Sequence, residues 1–315
     1  MDFTGGITFE GGMSVTGQPP PSFKAIFGYG TTGTATAITN LVSNTGVVAN
    51  DTTGVGTARE SPAASGYGTD KAIFGYGMAS GSNYVSLTNL VSNTGVVAGD
   101  TAGVGTARYW LAAAGYGSSG QAIFGYGFTS GGYTAVTNLV SNTGVVATDT
   151  AGVGQVRYSL AAAGYGTDKA IFGYGNGSGI YSLTNKVSNT GVVASNTTGV
   201  GTARYGLAAV GYGSTGQAIF GYGSAIVNFN LAVVSMTNLV SNTGVVATDT
   251  TGVGTSRTTL AAAGYGSTGQ AIFGYGASGV RVSMTNKVSN TGVVATDTTG
   301  VGTARNQLAA ASYGT

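Results

Sequence analysis

The sequence predicts an all-β fold, a six-bladed β-propeller of four-stranded antiparallel blades closed by pairing the C-terminal strand with the N-terminal blade. Three observations carry this expectation. The hexapeptide Ala-Ile-Phe-Gly-Tyr-Gly occurs six times, beginning at Ala25, Ala72, Ala122, Ala170, Ala218 and Ala271. Each copy is followed by Ser-Asn-Thr-Gly-Val-Val-Ala and then by a lone arginine: Arg59, Arg108, Arg157, Arg204, Arg257 and Arg305. Those arginines stand 49, 49, 47, 53 and 48 residues apart, a period that belongs to strand-built repeats of about forty to fifty residues.

One period, residues 108–156, shows why four strands are expected. Residues 109–117 (YWLAAAGYG) form a small-residue run, and the turn 118–120 leads into 121–127 (QAIFGYG). A divergent stretch, 128–132, is followed by 133–142, which ends in Asn142-Thr143-Gly144. The short apolar run 145–148 and the segment 149–155 complete the unit. Each run is bounded by Gly, Ser, Asn or Asp, and none shows apolar residues at helical spacing. Glycine at this density excludes helical repeats, because each costs about 1 kcal/mol in a helix interior.

The two ends of the repeat region complement each other. Residues 306–315 read as a first strand and turn with no hexapeptide after them, whereas the first hexapeptide has no such strand before it. The expected layout is an N-terminal arm and proline-rich spacer over 1–23 and a propeller over 24–315. Its blades are 59–107, 108–156, 157–203, 204–256, 257–304, and 305–315 joined with 24–58.

Composition narrows function. Of 315 residues, 58 are glycine and only 7% are charged, yet 42% are hydrophobic and recur in fixed order, so a core can form. The net charge of +2 is spread along the chain without a basic run, which argues against nucleic-acid binding. Cysteine and histidine are both absent, which removes thiolate chemistry and the usual general base and metal ligand. No cofactor is expected. No apolar run is long enough to span a membrane as a helix, and the N-terminus does not read as a signal peptide. Only Asp2, Glu10 and Glu60 fall outside the recurring acidic positions, two of them in the N-terminal arm, which argues against a catalytic carboxylate pair, and Gly-Tyr-Gly is not a phosphate loop because neither lysine nor helix follows it. The chain is expected not to be an enzyme.

In order and residue type, the repeat resembles kelch-type propellers. Arg108, then Leu111-Ala112-Ala113-Ala114, then Ala122-Ile123-Phe124-Gly125 and the segment 136–146 follow that family's sequence of strands over about residues 24–315. Two departures are that the glycine pair is split as Gly-Tyr-Gly and the late tryptophan is missing. The wording around Arg-Tyr-Trp-Leu-Ala-Ala and Ser-Asn-Thr also resembles kelch-like repeat proteins of bacteriophages. That resemblance implies a virion component such as a tail fibre or capsid decoration protein, placed on a virion surface or outside the cell.

Comparing the copies separates fixed from drifting positions. Asp51, Asp100, Asp149, Asp249 and Asp297, with Asn196 in the remaining copy, each stand eight residues before an arginine. A residue that every repeat carries is explained by what every repeat needs, so these Asp/Asn and Arg positions are read as structural. The hexapeptide tyrosines are read as packing between repeats. Two zones drift, one after the hexapeptide and one after the arginine. They supply the candidate ligand or partner contacts: Asn83, Tyr84, Tyr109, Trp110, Phe128, Tyr133, Tyr158, Tyr181, Tyr205, Asn228, Phe229 and Arg281. Both zones are expected on one face, opposite the constant turns, and aromatic, Asn and Ser side chains on a rigid scaffold suit recognition.

The expected function is a non-enzymatic structural or adhesive module whose variable face recognises a partner or a host-surface glycan. Residues 1–23 are expected to dock it to other virion proteins. Two alternatives stand beside this: a free lectin-like carbohydrate-binding propeller, and a designed or recently amplified symmetric propeller.

Overall fold

Each Ala-Ile-Phe-Gly segment is the middle strand of a three-stranded antiparallel sheet. In the computed structural model, which describes residues 23–314, Lys71–Gly75 lies between Ala63–Tyr67 and Thr88–Val91. The same order recurs around Gln121–Thr129, Lys169–Gly173, Gln217–Gly221 and Gln270–Gly274. The sixth middle strand, Lys24–Gly28, pairs with Thr39–Val42 on one side and with Ala309–Tyr313 on the other. The expected arm over 1–23 lies outside the described residues, except for Phe23.

Burial follows from position in the sheet. Ala72, Ile73 and Phe74 on a middle strand are all fully buried, so the strand reads as a continuous apolar run rather than an alternating one. The neighbouring Ala63–Tyr67 alternates buried with half-buried positions, as expected where successive side chains point to opposite faces.

The closed six-bladed propeller of four-stranded blades is not what forms. The described residues make eight separate three-stranded sheets and one two-stranded sheet, none curled into a barrel. Two of the three-stranded sheets and the two-stranded one are small, and they lie beyond the hexapeptides. The fourth run of each repeat touches its neighbour only at isolated bridges, such as Val42↔Val48 and Thr39↔Thr52. The cause is local. Asn40 Nδ2 donates to the carbonyl of Ala49 (3.0 Å) and to Asp51 Oδ1 (2.9 Å), so a side chain occupies the place of ladder bonds between the two bridges. The pairing of Ala309–Tyr313 with Lys24–Gly28 supplies one open sheet with its third strand and joins no sheet to another.

Side chains and turns connect the sheets instead. The ring of Phe124 lies against Gly75, where an added Cβ would come within 2.8 Å of Cζ. The same contact joins Phe74 to Gly28, Phe172 to Gly125, Phe220 to Gly173, Phe273 to Gly221 and Phe27 to Gly274. Each phenylalanine also meets a hexapeptide tyrosine, as in Tyr76–Phe124 with centroids 5.2 Å apart. Six equivalent apolar clusters result, one at each junction between repeats, with full burial of a phenylalanine contributing roughly 1.5–3 kcal/mol.

Candidate functional site

The arginine after each repeat holds the junction from which the drifting loops spring. Arg108 is fully buried. Its Nε donates to the Tyr126 carbonyl (2.9 Å), one Nη to the Thr106 carbonyl (3.0 Å) and the other to Asn138 Oδ1 (2.6 Å). Its guanidinium lies 4.3 Å from the centroid of Tyr76, a tyrosine of the preceding repeat. The equivalent stacks are Arg59 on Tyr29, Arg157 on Tyr126, Arg204 on Tyr174, Arg257 on Tyr222 and Arg305 on Tyr275. Tyr76 sits in the left-handed region (φ 62°), a conformation that carries a cost for a bulky residue. That backbone turns its ring under the arginine. Burial pushes its phenol up to about 12, against the pull of the Arg108 charge.

The aspartates serve the same junctions, but not through the arginine eight residues downstream. Asp100 lies 3.7 Å from Arg59, Asp249 3.4 Å from Arg204, Asp297 3.3 Å from Arg257 and Asp51 3.9 Å from Arg305. Asp100 also accepts from the N–H and the hydroxyl of Thr57, which belongs to the preceding repeat. Asp149 accepts in the same way from Thr106. Burial alone would raise the Asp100 carboxyl. The Thr57 hydroxyl, the Asn89 amide, the Thr57 N–H and the Arg59 charge outweigh it and hold the group below its ordinary value. Asn196, the exception, accepts the Gln155 N–H at 3.1 Å, while Arg157 donates to Asn185 at 2.6 Å.

The residue two places after each arginine builds a feature that sequence reasoning missed. Ser61 N–H donates to the Gln307 carbonyl (2.7 Å), Trp110 to Ser61 (3.1 Å), Ser159 to Trp110 (2.9 Å), Gly206 to Ser159 (2.8 Å), Thr259 to Gly206 (2.6 Å) and Gln307 to Thr259 (2.8 Å). Six backbone hydrogen bonds thus run from repeat to repeat and return to their start. All six residues have positive φ, between 50° and 63°, though only one of them is glycine. No turn signature marks the position. The sole available signal was its fixed offset from the arginine. Leu111, Leu160, Leu207, Leu260 and Leu308 lie just beneath the ring and are buried.

Above this ring the structure brings together half of the candidate residues. Isolated bridges join the two drifting zones, pairing Tyr109 with Phe128 and Tyr158 with Asn176. Five rings then stand in a curved row around Phe128. Tyr84 stacks on Tyr109 (4.7 Å), Tyr109 on Trp110 (4.6 Å), Trp110 on Tyr158 (5.1 Å) and Tyr158 on Tyr133 (5.2 Å). Phe128 meets Tyr84, Tyr109, Tyr133 and Tyr158 edge-on. Tyr84 and Tyr133 end the row, and Tyr133 is 42% exposed. Burial pushes the Tyr109 phenol up to about 12, helped by its hydrogen bond with Tyr84. Asn176 donates to the Tyr158 hydroxyl at 3.1 Å.

The other candidates lie apart from this row. Asn83 is exposed beside Tyr84. The Tyr181 hydroxyl is 2.6 Å from that of Ser178. Tyr205 is half-buried, close enough to Tyr158 to raise its phenol after burial and Tyr133. Asn228 and Phe229 form the tip of a separate hairpin, and Arg281 donates to Asn306 at 3.2 Å.

A cavity of about 480 Å³ opens on the opposite side, among the turns that follow the first strands. Gly66, Gly115, Gly164, Gly211 and Gly264 line it with Ser312, and Lys71, Lys169 and Gln121 stand near them. A second ring of backbone bonds crosses this side, from Gly68 to Gly120, Gly117 to Asp168, Gly166 to Gly216, Gly213 to Gly269, Gly266 to Phe23 and Gly314 to Asp70. Among the described residues no group of three or more acidic, His or Cys side chains is placed to hold a metal ion, and no helix is long and apolar enough to cross a membrane.

Comparison with models of known protein families and with characterised proteins finds no match. No match therefore supports the resemblance to kelch repeats and to kelch-like proteins of bacteriophages, and nothing in the comparisons bears on the virion, tail-fibre and decoration roles it implied. The sheets of three strands contradict that resemblance independently. The Gly-Tyr-Gly that split the expected glycine pair has its own physical reason, since the intervening tyrosine must turn left-handed to lie beneath an arginine.

Proposed function

We propose that the chain is a non-catalytic binding module that recognises glycan through the aromatic row of Tyr84, Tyr109, Trp110, Tyr158 and Tyr133, with Phe128 behind it. The observation that carries this reading is a break in symmetry. Five of these six aromatics lie in repeats 59–107 and 108–156 and the sixth, Tyr158, opens the next, while the scaffold beneath is the same in every repeat. Packing needed by every repeat does not explain a cluster that only some contain. Stacking covers both faces of Tyr109, Trp110 and Tyr158, so the outer faces of Tyr84 and Tyr133 are the flat apolar surfaces with a polar edge that suit the carbon–hydrogen face and hydroxyl rim of a sugar ring.

The carboxylates support a non-catalytic role. Asp51, Asp100, Asp149, Asp249 and Asp297 are engaged by threonine and asparagine donors, and Asp70 and Asp168 are held by Lys71 and Lys169. An acid–base pair would need carboxyls free to exchange protons with a substrate.

A glycan array probed with the wild-type chain and with the Tyr84→Ala/Tyr133→Ala variant tests the reading. These substitutions remove the two ends of the row and leave the backbone ring intact. The expected result is a defined set of glycans bound by wild type and lost in the variant. A wild type that binds no glycan above background, or a variant that keeps the same glycans, would overturn it.

A further inference from the structure

The repeat between Arg204 and Arg257 is the longest, and its extra length is a projecting hairpin, Ser224–Val227 and Asn230–Val233. Asn228 (φ 50°) and Phe229 (φ 63°) make its two-residue turn, a geometry that matches the twist of paired strands. The hairpin departs from ordinary surface chemistry. Phe229 is fully exposed, Leu231 is 60% exposed and Ile226 is 53% exposed. Residues 224–234 contain no charge and no proline. Natural edge strands are normally protected by such residues, and this one is not.

Asn230–Val233 is an edge, because the sheet order is Arg204–Tyr205, Ser224–Val227, Asn230–Val233. The register fixes which backbone groups lie free. Val234 N–H donates to the Gly223 carbonyl (2.9 Å), and Ala225 faces Ala232 while Val227 faces Asn230. In an antiparallel pair, hydrogen-bonded and non-hydrogen-bonded positions alternate. Leu231 and Val233 are therefore the residues whose N–H and C=O point away from Ser224–Val227.

We propose that this edge pairs with the same edge of a second copy of the chain. The free groups are symmetric about Ala232. A twofold axis there sets Leu231 of each copy opposite Val233 of the other, and each of those two pairs exchanges two hydrogen bonds, giving four in all. Ala232 then faces its own counterpart at a non-hydrogen-bonded position, where Cα atoms approach to about 4.5 Å and its methyl group fits without clash. The absence of charge leaves nothing to repel an identical strand. This surface is separate from the aromatic row, and its test does not depend on glycan binding.

Sedimentation velocity of the full chain over a concentration series provides the test. Wild type is expected to dimerise with rising concentration. Val233→Pro removes only an outward N–H and is expected to weaken the dimer at least tenfold, with unchanged circular dichroism and melting. Leu231→Lys and Val233→Glu are each expected to weaken it, and an equimolar mixture of the two to recover it, because the substituted positions face each other across the axis. A wild type that stays monomeric overturns the proposal. So does a dimer unaffected by Val233→Pro, or a hairpin that binds only strands of other proteins.

Discussion

Changing Asn196 to Asp together with Gln155 to Thr would give the junction between repeats 108–156 and 157–203 the pair that the other five junctions carry. In five junctions a threonine meets an aspartate: Thr57 with Asp100, Thr106 with Asp149, Thr202 with Asp249, Thr255 with Asp297 and Thr303 with Asp51. In the sixth, both partners differ. Asn196 Oδ1 accepts the Gln155 N–H (3.1 Å) and the Asn185 amide (3.0 Å), so one oxygen of a new carboxylate is already served. The other would take the hydroxyl of the introduced threonine, as at the five matching sites. A hydrogen bond to a charged group contributes about 1.5–3 kcal/mol. Here the aspartates retain 27–30% exposure where they meet arginine, and screening reduces the coupling to about 1 kcal/mol.

The assay is a double-mutant cycle on urea unfolding, with wild type, both single variants and the double variant. The double variant is expected to gain about 1–2 kcal/mol in total at pH 7, more than the sum of the singles. The pH dependence supplies an independent check. A carboxyl whose folded pKa is depressed stabilises above its unfolded value of about 3.9, and the stabilisation disappears as pH falls through the lower folded value. The coupling should therefore shrink as pH falls below about 3.9. Additive single effects, within about 0.3 kcal/mol at pH 7, or a coupling that does not shrink on acidification, would refute the reasoning.

Three further outcomes follow from the same geometry. Arg108→Met should destabilise by about 3–5 kcal/mol in chemical denaturation, because Asn138 Oδ1 and the Tyr126 and Thr106 carbonyls lose a buried donor. Gly75→Ala should cost about 1–3 kcal/mol, since its Cβ would meet Phe124 at 2.8 Å, and Phe124→Leu should recover part of that loss when combined with it. Stability should be level above about pH 5 and fall below about pH 4, as the depressed carboxyls of Asp51, Asp100, Asp149, Asp249 and Asp297 take up protons. Asp100→Asn should make that fall shallower in an acid titration followed by circular dichroism.

What could be read from the residues was the repeat and its strands. Ala-Ile-Phe-Gly marks each middle strand because three adjacent apolar residues buried on both faces of a sheet leave no other pattern. The fourth strand was misread for a physical reason: Val48 and Thr52 have strand character, yet the Asn40 side chain takes the Ala49 carbonyl and interrupts the ladder. Asn40 and its equivalents Asn89, Asn138, Asn185, Asn238 and Asn286 were visible in every copy as the second residue of Thr-Asn. Their role as arginine acceptors depends on contacts about thirty residues apart or across the chain. The pairing of Asp100 with Arg59 rather than with Arg108 is of the same kind. Drift between copies did point to Tyr84, Trp110 and Tyr133, but their stacking into a single row is a property of the fold.

Trp110 shows how a near-identical repeat can carry a local aromatic stack. Its backbone is one of six links in a hydrogen-bonded ring, with φ of 52°, and its indole stands between Tyr109 and Tyr158. The ring uses only N–H and C=O groups, which every residue but proline supplies. Ser61, Trp110, Ser159, Gly206, Thr259 and Gln307 can therefore share one backbone role while differing in side chain. The arginine, asparagine and hexapeptide positions have no such freedom, because their side chains are the contacts between repeats. Mutations that create recognition are then tolerated where stability is carried by the main chain and resisted where it is carried by side chains. On this argument, exchanging Trp110 for Ser should abolish the central stack while leaving the ring and the junction below it in place. Exchanging Asn138 should disturb the junction and, through Arg108, the loop that holds Tyr109.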